Sequence, residues 1–342
     1  MDKRTFFVFI LFGLALLGAY SIYSPFILPM VVATLLAMAT SNLMKSISNT
    51  LHSQKLATIV MVVLLIMLIL APIIYVATVG VDYFSHFDQN SLKVTILKTK
   101  ELISKVPYLN SWANEYLNVD KILPYFKEIS LFFTKIGSKG LGFVKNIIFV
   151  IIFYGVIVYY HKRFFEVFEA LIPASKDESK DMVEEVASTM EIVLYSIVTT
   201  AIFEGALFGI FVGYFGFNGL LLGVLYGFAS LIPVVGGLIV WLPVSLYAWS
   251  EISFSSAIMI ASYSIIVISI IADTLIKPMI IKAIKDSLYH HHTTINELVI
   301  FFSIIAGMSS FGFWGMILGP AITTFLVAAT RIYLKHSQLL KD

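Results

Sequence analysis

Three side chains in the C-terminal half have the types and spacing to move a charge through an apolar medium. Glu204 lies inside Thr199–Gly213, a stretch with no other ionisable residue. A charge at mid-bilayer depth costs about 2.5 to 3.5 kcal/mol on insertion scales, so it usually persists for function. Burial favours the neutral carboxyl and raises its pKa, which lets it take up a proton in one conformation and release it in another. Thr200 precedes Glu204 by one helical turn and shares its face. Asp273, one turn before Lys277, is a second carboxylate. It reads either as a cation ligand or as an ordinary i,i+4 partner of that lysine. The alternative for Glu204 is structural, as a partner for a helix break.

Backbone groups form the second class of candidate ligands. Two apolar segments, Phe217–Trp249 and Leu298–Leu334, are each too long for one crossing of a ~30 Å hydrocarbon core, which needs about 20 residues. The first is interrupted at Leu231–Gly237, where Pro233 precedes Gly236-Gly237 and Pro243 follows. The second is interrupted at Gly307–Gly319, with Gly312, Gly315 and Pro320 at or beside the break. Proline removes a donor and glycine frees the chain to turn. Non-helical backbone at membrane depth is tolerated only where protein buries it or a wet cavity solvates it. Paired interruptions of this kind point to a transporter binding site whose tips could coordinate a polar solute or a cation. For the first break the alternative is a simple proline kink in one tilted helix.

These groups must be positioned by membrane helices. The chain of 342 residues is 59% hydrophobic and 13% charged, with a mean hydropathy of +0.92, and its apolar residues come in long uncharged blocks. Spans are expected at 5–23, 25–44, 56–81, 143–160, 191–214 and 254–276, besides the two broken segments. A signal peptide at the start is disfavoured because the apolar run resumes after Ser24-Pro25 without a small-residue cleavage site. The expected organisation is N-terminal scaffold helices at 1–81, an external amphipathic section at 82–142, and a span with a cytoplasmic linker helix at 143–190. A transport region at 191–334 and a tail at 335–342 complete it. In the external section Leu92, Ile96, Leu97, Ile103 and Val106 recur near helical spacing before Pro107. Ser175 is a plausible N-cap for an acidic helix.

Short basic loops orient the chain. Lys3, Arg4, Lys45, Lys55, Lys162, Arg163, Lys277, Lys282, Lys285, Arg331 and Lys335 fall on one side if both termini are cytoplasmic. Parity then makes the first broken segment an external hairpin and the second an internal one, an inverted-topology arrangement. Glycines at Gly205, Gly209 and Gly213, and at Gly219, Gly223 and Gly227, place small stripes on two successive helices, for close packing or for a sliding seam. Tyr159, Tyr160, Trp241 and Trp249 suit the membrane–water interface.

Several classes of function find no support. The absence of cysteine excludes disulfides and thiolate chemistry. There is no Walker A loop, nucleophile elbow or H-E-x-x-H helix, so neither ATP drive nor hydrolysis is indicated, and the chain is not read as an enzyme. His290-His291-His292 diverge on a helix and read as a solvated loop, so no metal or other cofactor is expected beyond transported H⁺ or Na⁺. A net charge of +2 gives no reason to expect a nucleic-acid partner.

The C-terminal half resembles the AI-2E (autoinducer-2 exporter) family of bacterial membrane proteins. The resemblance rests on Ile232-Pro233-Val234-Val235-Gly236 with Pro243, on Asp273 and Pro278, and on Gly307, Gly312, Gly315 and Gly319-Pro320. The layout of spans extends it over nearly the whole chain. It implies a proton- or sodium-linked carrier, associated in some members with export of the quorum-sensing signal and in others with Na⁺/H⁺ exchange. It also implies a homo-oligomer, with a pentamer as the expected form. The combined reading is an all-α, polytopic membrane protein of the bacterial cytoplasmic membrane, with two broken or re-entrant hairpins whose tips enclose a polar site. Glu204 would carry the proton and Asp273 would help bind a cation. Its partners would be membrane lipid, a small polar solute or cation, and further copies of itself. The rival from another class is an oligomeric channel or scaffold without ion coupling.

Overall fold

The computed structural model describes residues 3–85, 89–108, 110–116, 118–120, 140–172, 174–233, 236–279, 282 and 296–339. All regular structure among them is helical. The chain divides into two compact units, one of 1–65, 142–191 and 293–342, the other of 66–141 and 192–292. Among the described residues, five helical stretches could cross a membrane by length and composition, or up to six if a bent pair counts as one span.

In the first unit, α1 runs unbroken from Lys3 to Ala39, through Pro25 and Pro29. Two spans meeting at Ser24-Pro25 were expected, and the structure has one. At 1.5 Å per residue the helix is about 55 Å long. An unbroken helix that crosses a bilayer ends on the opposite face, so the parity that made the N-terminus cytoplasmic loses its basis. Large side chains such as Phe7, Phe12, Leu17 and Ile22 are exposed along its first half, whereas Val32, Ala33 and Leu35–Ala39 are buried. The amphipathic α2 (Ser41–Leu51) follows and ends on His52, whose φ of 50° is left-handed.

Helix α3 (Gln54–Ser85) contributes to both units. Within the first unit, α6 (Gly140–Tyr159) meets α7 (His161–Leu171) at a bend of 91°. Helix α8 (Lys176–Gly213) opens with a capping box. Ser175 Oγ accepts from the Glu178 amide at 3.3 Å, and Glu178 Oε2 accepts from the Ser175 amide at 3.2 Å, as the N-cap reading expects.

The second broken segment folds back on itself. Helix α12 (Glu297–Phe311) and α13 (Gly315–Leu339) are joined by a 3₁₀ turn, Gly312–Trp314. Gly312 has φ 60° and ψ −141°, a conformation that only glycine adopts readily. Gly307 lies against Gly315 and Gly319, and Gly319 against the Ser303 carbonyl, so the two arms are antiparallel with backbones in contact. At 15 residues, α12 is about 22 Å long, too short to cross a ~30 Å core.

The second unit contains α4 (Gln89–Ser104) and α5 (Asn110–Tyr116) from the amphipathic section. Ile96 is buried there while Leu97 and Val106 are exposed. The C-terminal part of α8 then turns at Tyr214–Asn218 into α9 (Gly219–Ala229), capped by Asn218 Oδ1 accepting from Leu221 N at 3.0 Å. The glycine stripes meet here. Gly209 opposes Gly219, Gly205 opposes Gly223, and Gly227 opposes Ala201, each so close that a β-carbon would run into the facing carbonyl.

After the turn at Pro233, α10 (Gly236–Glu251) returns against α9 and packs on α4. Helices α9 and α10, of 11 and 16 residues, are about 16 and 24 Å long, so neither crosses alone. Helix α11 (Phe254–Tyr263) continues into Ser264–Ile276, which is π-helical over 13 residues. Such geometry is mostly confined to single turns and is frequent at functional sites. Its core joins Phe208, Val212, Leu222, Tyr226, Ile260, Ile268 and Ala272.

The glycine contacts give a first prediction. Gly209→Ala or Gly307→Ala inserts a methyl against backbone that has nowhere to move, at a cost of about 1–3 kcal/mol. Melting followed by size exclusion in detergent should show a lowered Tm for both. Gly13→Ala, which meets nothing within 4 Å, should leave Tm unchanged. Equal Tm for all three would contradict the close pairing.

Candidate functional site

The site in the second unit is built on α8. Ser196, Thr200 and Glu204 follow one another at four-residue spacing and form a polar stripe along one face. Glu204 is 4% exposed and Thr200 6%. The hydroxyls of Ser196 and Thr200 are buried and have no hydrogen-bond partner among the described residues. Ala201 and Gly205, on either side of Glu204, touch the backbone of α9, so the glycine pairing fixes how far the carboxylate is rotated about the α8 axis.

Across from the stripe, Lys277 Nζ lies 3.7 Å from Glu204 Oε1, its side chain 38% exposed against 5% for the glutamate's. Lys277 immediately follows the π-helical segment, and its amide donates to the Ala272 carbonyl five residues back. The same segment is held against α8 higher up. Tyr263 stacks on Phe211 with ring centroids 3.7 Å apart and donates from its hydroxyl to the Leu207 carbonyl at 3.4 Å. Lys277 was expected to pair, if at all, with Asp273. The structure places it beside Glu204, and the Asp273 side chain lies outside the described residues.

At the α9–α10 tip, Gly236 N donates to the Ile232 carbonyl at 3.0 Å, and Ile232 N to the Ala229 carbonyl at 2.9 Å. Gly236 abuts Ala229 and Gly237 abuts the Tyr226 hydroxyl, so this is a tightly packed turn. Pro233 is partly buried beside it, and Val234 and Val235 lie outside the described residues. Gly312, Gly315 and Pro320 belong to the other unit, where Pro320 is buried in α13 and its carbonyl accepts from Thr324 Oγ1 at 2.8 Å.

Sequence reasoning missed polar contacts in the first unit. Glu191 is 1% exposed, and Asn42 Nδ2 on α2 donates to its Oε2 at 2.8 Å. Glu191 was read only as the boundary of a span. Its flanking Met190 and Ile192 were a usable signal, by the same reasoning that singled out Glu204. Nearby in sequence to Asn42, Thr40 shares a buried hydrogen bond with the Tyr154 hydroxyl at 2.9 Å. Arg331 on α13 holds Glu185 on α8 through two bonds of 3.0 and 3.1 Å. A cavity of about 310 Å³ in this unit is lined by residues including Leu35, Met38, Val183, Leu318 and Phe325, with no ionisable group among the described residues of its wall. Among the described residues no three or more His, Asp or Glu cluster as a metal site, and His290-His291-His292 lie outside them.

Comparison with known proteins agrees with this architecture. A family model described as "AI-2E family transporter" matches residues 5–335. Two Helicobacter pylori proteins, from strains 26695 and J99, are 32% and 33% identical over 338 residues, covering 97% of this chain and 96% of each relative. A protein of Buchnera aphidicola is 23% identical over 352 residues, 95% of this chain and 91% of its own. All three carry the name "Putative transport protein".

The buried amide–carboxylate contact yields a second prediction. Asn42→Leu removes a donor from a buried carboxylate and should destabilise the protein by about 1–3 kcal/mol. Glu191→Gln, which leaves a neutral partner for the same amide, should be milder. A thermal melt ranking the two variants in the reverse order would contradict this role for Asn42.

Proposed function

The chain belongs to the AI-2E family of transporters, and on that premise we propose that it is an ion-coupled secondary carrier. The coupling ion is H⁺ or Na⁺. The transported species is a small polar solute of the autoinducer-2 type, or the cation itself in Na⁺(Li⁺)/H⁺ exchange. The observation that carries this reading is the carboxylate of Glu204, 4% exposed inside an apolar helix and facing a lysine from another helix. A costly buried charge of this kind marks an ion pathway, and a carrier needs a group whose charge state differs between conformations.

On this reading Glu204 is the coupling group, Thr200 is its neighbour on the same face, and Asp273 contributes from the π-helical segment. The packed tips at Pro233, Gly236 and Gly237, and at Gly312, Gly315 and Pro320, act as rigid hairpin ends. The protein works in a bacterial cytoplasmic membrane, with 82–142 external and Lys45, Lys55, Lys162, Arg163 and the C-terminus cytoplasmic. The all-round apolar surface of α1 suits contact with lipid and with further copies in a homo-oligomer, for which we adopt the pentamer.

Glu204→Gln keeps the shape of the side chain and removes its ionisation. In proteoliposomes with an imposed pH gradient, the variant should keep its expression level and elution volume but lose the pH dependence of transport. An unchanged pH profile would make Glu204 structural and remove the coupling role assigned to it.

A further inference from the structure

We propose that Glu204 and Thr200 form a monovalent-cation site whose occupant in this conformation is the ammonium of Lys277, so that an incoming cation binds by displacing the lysine. The proposal rests on the carrier reading above and assigns Lys277 as the residue that sets the site's affinity and selectivity.

Two independent observations support it. The first is the position of a cationic head 3.7 Å from a carboxylate oxygen, where a bound cation would sit, on a side chain still 38% exposed. A lysine with this much exposure has room to swing its long flexible stem out to water. The second is the Thr200 hydroxyl, one turn before Glu204 on the same face, 6% exposed and without a hydrogen-bond partner among the described residues. A buried hydroxyl with no partner costs free energy, and a cation bound at the carboxylate would recover it by taking the oxygen as a ligand.

The surrounding elements add little competing charge. Tyr226 on α9 and Tyr263 before the π-helical segment are phenols, and Asp273 lies one turn before Lys277. Among the described side chains the site offers one carboxylate and few other oxygens, which suits a single positive charge. Hard divalent ions take six or more oxygen ligands.

The test uses purified full-length protein in detergent, titrated separately with NaCl, LiCl and choline chloride at constant ionic strength. Thermal stabilisation reports binding, because a ligand that binds only the native state raises Tm with its concentration. Na⁺ or Li⁺ should stabilise the wild type where choline does not. Lys277→Gln should tighten the apparent cation affinity by about two- to fivefold, the coupling expected for a partly exposed ion pair. Lys277→Arg, whose planar fork grips a carboxylate more firmly, should weaken it. Thr200→Val, of similar shape but without the hydroxyl, should also weaken it.

Equal responses to all three salts, or unchanged or weaker cation affinity in Lys277→Gln, would overturn the proposal. Should Lys277→Gln fail to fold, an unchanged affinity in Lys277→Arg would overturn it on its own. Cation stabilisation without coupled transport in proteoliposomes would remove the carrier reading and leave the site standing. Coupled transport without cation stabilisation would do the reverse.

Discussion

In a bilayer the hydrophobic effect does not drive one helix against another, because lipid tails are as apolar as leucine. This chain answers that constraint with backbone contact. Gly205, Gly209, Gly219, Gly223 and Gly227 lock the end of α8 to α9, and Gly307, Gly315 and Gly319 lock α12 to α13. Each set meets its partner in one register, since a shift along the helix would drive a side chain into a carbonyl. Everything polar in the second unit depends on that register. Glu204 sits between two of the contact residues, so its direction is settled by the packing of its neighbours and not by its own hydrogen bonds.

The second consequence concerns what the hairpins are for. Their tips were the natural place to look for backbone ligands. At the α9–α10 tip the Ile232 and Gly236 amides are bonded within the turn, and the glycines are pressed against Ala229 and Tyr226. That tip is tightly packed. Side chains along the helices add two polar pairs, the carboxylate of Glu204 with Lys277 and, in the other unit, Glu191 with Asn42. Buried charges of this sort are costly unless paired, and each is paired to a group from a different helix.

Much of the fold was legible because glycine and proline leave local signatures. The positive φ of Gly312, the turn after Pro233 and the capping box at Ser175 all follow from residue types at short spacing. The legible part of the site was Glu204 with Thr200, since a carboxylate in an apolar run is visible in one dimension. What was not legible was long-range or permissive. Pro25 and Pro29 read as a break, yet α1 runs through them, because a proline in a helix removes one bond without ending the helix. Nothing in the composition of Ser264–Ile276 announces π geometry. The contact between Lys277 and Glu204, 73 residues apart in the chain, lies beyond the reach of local pairing rules.

The central claim is that this membrane protein couples movement of its substrate to an ion gradient. The most direct measurement is flux in proteoliposomes of the wild-type protein, with Na⁺, Li⁺ or an autoinducer-like polar solute, in the presence and absence of a pH gradient. The account predicts flux that saturates with concentration and grows with the imposed gradient. Flux that neither saturates nor responds to the gradient, accompanied by single-channel currents, would contradict it.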